Sequence, residues 1–177
     1  AMAQGQALSV YRRAFEVTRD ETYLRAGEAE FRYLATWRSD GGLLETLAHF
    51  APELDDYVWF PEYPSGHPYY TLNGFVFTLL GLYDWSTLDD AQTGGTASFA
   101  GELFDCGLAS LAALLPYYDA NGFSIYDLGH VIAGAPPNIQ ADYHPIHIHL
   151  LHAIESIRHN TVVADYLARW IADVDGP

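Results

Sequence analysis

The chain has 177 residues, half of them hydrophobic and 15% aromatic, which excludes intrinsic disorder and allows one domain with a sizeable core. It carries 23 acidic residues against 8 basic ones, every one of the eight an arginine, for a formal net charge of −15. That balance excludes nucleic acid and anionic membrane surfaces as main partners.

Residues 3–18 repeat apolar side chains at helical spacing, with Leu8, Tyr11 and Phe15 on one side. Asp20 is placed to cap a second helix that runs to about Trp37, with Tyr23, Leu24, Phe31 and Leu34 inward. The short polar turn between them implies an antiparallel hairpin. Residues 39–68 change character. Gly41-Gly42, several prolines and extended runs at 43–50 and 57–60 predict a β-hairpin or a long loop. A connection of that length inside a compact helical domain is more often functional than idle.

Helical spacing returns from Tyr70 to about Asp84 and, after a polar gap at 87–96, continues to about Leu115. The single cysteine, Cys106, falls in this apolar stretch and is expected as a small buried hydrophobe, so no intramolecular disulfide forms. A second excursion, 116–141, has an Asn121-Gly122 turn and a short strand expected at 123–128. Two helices, roughly 145–158 and 161–174, close the chain. Neither a signal-peptide pattern nor a membrane-length apolar run is read in the sequence, and the compartment is undetermined. The layout predicts one mainly α domain over 1–177: an incomplete α/α toroid of helical hairpins with short β-hairpin excursions. A plain helical bundle is the alternative. The chain opens inside a helical pattern, which predicts a preceding N-terminal region of the same protein.

The polar residues gather in three segments: 59–64, 124–130 and 142–147. Glu62 and Tyr63 lie between Pro61 and Pro64, which restrict the backbone and so fix where both side chains point. Each residue also has a purely local explanation: Glu62 as a helix-rim carboxylate, Asp142 as an N-cap, Asp127 tying its own turn. Spacing alone gives an acidic, tyrosine-rich cleft. His144, His147 and His149 form H-x-x-H-x-H, yet no acidic or cysteine ligand follows at zinc spacing. Hydrogen bonding to substrate or tyrosine is the expected role, with no metal; His152 and His159 read as helix-surface residues. Neither a dinucleotide fingerprint nor a P-loop occurs, and no cofactor is expected.

Several colinear segments resemble one family. They are MAQGQA at 2–7, WFPEYPSGHPYYTLNGF at 59–75, LGLYD at 80–84, LPYYD at 115–119, IYDL at 125–128, APPN at 135–138 and DYH at 142–144. In order and approximate spacing they resemble the C-terminal domain of the D-glucuronyl 5-epimerases. The resemblance implies an α/α toroid, a preceding β-rich region and a homodimer. It implies inversion of D-glucuronate to L-iduronate at carbon 5 of a uronate-containing glycan, without a cofactor. It matches Glu62 and Tyr143 to the acid/base pair and Tyr63 and Tyr126 to further active-site tyrosines. His144, His130, Asn73 and His147 are the expected substrate-binding residues.

Those residue types suit the chemistry. Removing hydrogen beside a carboxylate needs one base and one acid on opposite ring faces, and stabilisation of the growing charge. One departure stands out. The family loop reads Tyr-Asp-Leu-Arg-His, and here position 129 is Gly. An arginine fork matches a carboxylate, so its loss predicts a weakly charged uronate polymer or oligosaccharide as substrate, with Arg12 or Arg38 as candidate replacements. A lyase, which expels the substituent at carbon 4 after the same abstraction, and a non-catalytic glycan-binding module are the rival readings.

Overall fold

The computed structural model describes residues 1–63 and 69–175; the expectation that 64–68 extend the first excursion lies outside the described residues. The fold is mainly α. Helix α1 (Met2–Thr18) turns into α2 (Glu21–Ala35) through Arg19, which adopts a left-handed φ of 59°. Asp20 caps α2 as expected, its carboxylate accepting from Thr22 N at 2.9 Å. The helix stops two residues short of Trp37.

The first excursion forms one minimal antiparallel pair, β1 (Glu45–Thr46) with β2 (Val58–Trp59), separated by short 3-10 turns. Tyr70 then holds a positive φ of 53°, which is strained for a bulky aromatic side chain. Its surroundings hold it there. Tyr118 Oη donates to its carbonyl, and its ring packs edge-on against Trp59 at 5.2 Å and Phe50 at 5.5 Å.

Helix α3 (Leu72–Ser86) is the axis of the fold. It runs parallel to α1: Met2 meets Asn73, Gly5 meets Thr78 and Gly81, and Arg13 meets Asp84. Gly in a helix interior costs about 1 kcal/mol against Ala. Here it is required, because a Cβ on Gly81 would enter the backbone of Gly5, and a Cβ on Gly5 would lie 2.6 Å from Thr78 Cα. The two backbones touch, with no side chain between them.

A one-turn helix, α4 (Asp90–Thr93), interrupts the polar gap before α5 (Thr96–Leu114). Helix α5 packs antiparallel on α3, with Trp85 Nε1 donating to Thr96 Oγ1 at one end and Gly107 under Leu79 and Phe75 at the other. Cys106 corrects an expectation: it is exposed, not buried. The apolar stretch has an outer face, formed by Glu102, Asp105, Cys106 and Ala109, and the cysteine falls on it. Residues 96–118 also reach a mean hydropathy of 1.4, enough by length and composition to cross a membrane. This corrects the expectation that no membrane-length apolar run occurs. Half of the window is buried in the fold, as in a core helix.

The second excursion is a two-residue hairpin, β3 (Asp119–Ala120) with β4 (Phe123–Ser124). Its Asn121-Gly122 turn has φ of 58° and 99°, the signs a type I′ turn requires. The strand ends at Ser124, short of the expected 128, and a one-turn helix, α6 (Gly129–Ile132), follows. Helices α7 (His144–Ile157) and α8 (Thr161–Asp175) complete the chain. Asp142 is not the cap of α7; Tyr143 holds that position, without a side-chain cap. Asp119 ties the hairpin to α8, accepting from Trp170 Nε1 at 2.9 Å and Arg169 at 3.0 Å.

Candidate active site

The two excursions and the start of α7 meet at the N-terminal turn of α3. Leu72 N–H donates to Tyr126 O at 3.1 Å, and Leu128 N–H donates to Tyr69 O at 2.7 Å. The second excursion is thus stitched to the residues on either side of Tyr70. Asp127 secures the loop, as its own turn suggested: Oδ1 accepts from Gly129 N at 2.9 Å and Oδ2 from Asn138 Nδ2 at 2.6 Å.

Glu62 approaches the same turn from the other side. Its carboxylate occupies the space beside Gly74, where a Cβ would collide with Oε2 and lie 2.8 Å from Cδ. Oε2 is buried and has no hydrogen-bond partner among the described residues. The exposed Tyr63 lies beside Tyr126 and Glu62, both of which act on its phenol. Tyr126 meets Tyr143 edge-on, ring centres 4.6 Å apart. The chain therefore brings Glu62, Tyr63, Tyr126 and Tyr143 into one cluster from three separate segments.

The charges in this cluster act on the phenols. The negative charge of Glu62 pushes Tyr63 above the usual tyrosine range, partly opposed by the neighbouring Tyr126 hydroxyl. Burial, reinforced by Glu62, pushes Tyr126 up as well. Both remain O–H donors at neutral pH, the form that hydrogen-bonds a carboxylate. A cavity of about 320 Å³ opens beside Glu62 and Tyr63, lined also by Met2, Tyr33 and Leu43. A larger one of about 610 Å³ lies between α1, α3 and α7. Its charged lining residues, Arg13 and Asp84, pair with each other at 3.0 Å, so it offers no acid/base pair.

The histidines lie behind the tyrosines. His144 and His147 are buried at 2% and 1% exposure, with both Nδ1 atoms bonded to Ser124. Burial, with His144 adjacent, lowers the His147 pKa to about 3. His149, His152 and His159 are exposed. Asn73 sits one residue before Gly74, its Nδ2 3.8 Å from Met2 Sδ and its Oδ1 buried without a partner among the described residues. His130 lies on α6 with Nδ1 buried and likewise unpartnered, and no contact with the tyrosine cluster is recorded among the described residues.

The family profile described as the D-glucuronyl C5-epimerase C-terminus matches residues 1–172. The chain belongs to this family. It is 38% identical over 178 aligned residues to the D-glucuronyl C5-epimerase of Caenorhabditis elegans, covering 97% of this chain and 28% of that protein. It is also 35% identical over 131 residues to an uncharacterized protein of Methanocaldococcus jannaschii, covering 73% of this chain and 40% of that one. The chain thus spans well under half the length of these relatives.

Within this C5-epimerase fold, one candidate replacement for an arginine at 129 is placed elsewhere. Arg12 bonds Glu16 and Thr87, at the far end of α3, roughly 20 Å along the helix from Gly74. Arg38 pairs with Glu45 on β1 at 2.7 Å. Gly129 itself is buried, and a Cβ there would lie 3.1 Å from both Asp127 Oδ1 and a Tyr69 ring carbon. Three residues that shape the site had no assigned role in the sequence reading: Gly74, Ser124 and Trp170. A glycine in the first turn of a helix is a signal for close approach; nothing local marks the other two.

Gly74→Ala is expected to displace the Glu62 carboxylate and leave the helix intact, since Ala is the better helix former. A misplacement near 1 Å costs about 10²-fold in kcat. Circular dichroism and turnover measured together check it: lost activity with retained helicity is the expected pair. His147 makes stability depend on pH with a definite sign. Its folded pKa lies below that of an unfolded histidine, so acid protonates the unfolded state first. Its contribution is complete above about 6.5 and is lost as pH falls towards 3, at about 1.4 kcal/mol per pH unit. Melting at pH 7 and pH 5.5 should show a smaller drop for His147→Gln than for the parent.

Proposed function

We propose that this chain supplies the proton-transfer site of a uronate 5-epimerase and forms one domain, 1–177, of a longer protein acting on a uronate-containing glycan. The observation that supports it is the convergence of Glu62, Tyr63, Tyr126 and Tyr143 on the first turn of α3. One of Glu62 and Tyr143 removes the proton from carbon 5, leaving the bonding pair delocalised into the substrate carboxylate. The other returns a proton to the opposite face. Two proton transfers leave the oxidation state of carbon 5 unchanged. During the step the carboxylate gains negative charge, and the O–H groups of Tyr63 and Tyr126 are suited to donate to it. With position 129 a glycine, these phenols take over part of a cation's role, and the preferred glycan is weakly charged.

The test is carbon-5 hydrogen exchange in heavy water, using the full-length protein and a panel of uronate glycans, read by NMR. Deuterium at carbon 5 with inverted configuration is the expected result. An unsaturated uronate product would instead establish a lyase, and binding without exchange on any glycan would leave a binding module.

A further inference from the structure

A buried hydrogen-bonded chain lies behind the tyrosines, from His147 through Ser124 and His144 to the Trp170 carbonyl, and its direction can be worked out. The backbone N–H of Ser124 donates to His144 Nδ1 at 3.0 Å, so that nitrogen bears a lone pair. The His144 proton is therefore on Nε2, which donates to the Trp170 carbonyl at 3.3 Å. Ser124 Oγ lies 2.9 Å from the same His144 Nδ1 and 2.7 Å from His147 Nδ1. A hydroxyl has one proton to give. If His147 received it, two lone pairs would face each other at the buried 2.9 Å contact. Given to His144, it leaves Oγ free to accept from the Nδ1–H of His147. Each tautomer then follows from the one backbone donor.

His147 Nε2 consequently bears no proton. It is buried and without a partner among the described residues, on a ring 6.1 Å from that of Tyr143 and 6.5 Å from that of Tyr126. Of the two rings, that of Tyr143 is the nearer, and no bond is recorded for its hydroxyl among the described residues. We propose that Ser124 is a positioning residue: its hydroxyl fixes His147 as the Nδ1–H tautomer, so that Nε2 is held as an unprotonated acceptor beside the cluster, free to take the phenol O–H of Tyr143 once bound substrate tightens the site. This rests on the reading of Tyr143 as a proton-transfer group. The acceptor does not titrate near neutrality, because burial holds His147 uncharged down to about pH 3. Among the described residues, the titratable side chains recorded beside it are His144, Tyr126 and Tyr143, none of them a carboxylate.

The test is long-range proton–nitrogen NMR of histidine-labelled full-length protein between pH 5.5 and 8, alongside carbon-5 exchange. The expected spectrum shows His147 protonated on Nδ1 only, unchanged across that range. Ser124→Ala should mix the tautomers and lower kcat about 10-fold with little change in KM, while Ser124→Thr restores both. A wild-type His147 protonated on Nε2, or charged at pH 6, overturns the assignment without any variant being made. So does Ser124→Ala that shifts neither the tautomer nor kcat. The spectrum requires no substrate, so the expected tautomer with no exchange on any glycan supports the hydrogen-bond chain and overturns the function reading instead.

Discussion

Glu62→Gln and Tyr143→Phe, each made alone in the full-length protein, are expected to lower kcat for carbon-5 exchange by about 10²- to 10⁴-fold, the range general acid–base catalysis contributes. Both changes keep volume and remove the exchangeable proton or its acceptor. Tyr143→Phe leaves the edge-on contact with Tyr126 in place, and Glu62→Gln still fits beside Gly74. Stability should hold within about 1 kcal/mol, which separates lost chemistry from lost fold. The double variant should be little worse than the worse single one, because each group is useless without the other. Near-normal turnover in both single variants would remove these residues from the reaction.

The second large effect concerns folding. Gly81→Leu is expected to destabilise the chain by more than about 3 kcal/mol, the upper end for overpacking, and to lower soluble yield. The neighbour that must yield is the backbone of Gly5, which cannot rotate away as a side chain can. Gly101→Leu is the contrasting control. Its Cβ would meet only Ser86 Cβ at 3.5 Å, so the change should be mild. Denaturant midpoints of the pair check the prediction; equal losses would show that α1 and α3 can move apart at small cost.

How far the sequence carried is clear from particular residues. The long helices follow from apolar spacing and from local chemistry such as the Asp20 cap, because both act within a few residues. The strands were overestimated: 43–50 and 123–128 are rich in apolar and aromatic residues, yet each strand pairs over only two positions before a turn takes the chain away. Cys106 was misplaced because apolar composition says how much of a helix is buried, not which face. Spacing alone gave an acidic, tyrosine-rich cleft; colinear resemblance singled out Glu62, Tyr63, Tyr126 and Tyr143 within it, and flanking prolines marked the first two. Ser124, Gly74 and Trp170 act through contacts with residues far along the chain, and no local pattern encodes those.

The stitching of residues 69–72 to 126–128 also bears on when the site forms. Helices α3 and α5 can pack early, since the ends that meet first, Trp85 and Thr96, are only 11 residues apart. The bonds from Leu72 to Tyr126 and from Leu128 to Tyr69 require closing a loop that contains all of α3 and α5, and that closure entropy is repaid only once both helices are in place. Glu62 gains its tyrosine neighbours at that late step. A refolding chain can therefore recover its helical signal while still chemically inert, and helix content is a poor proxy for the fraction of molecules competent to turn over.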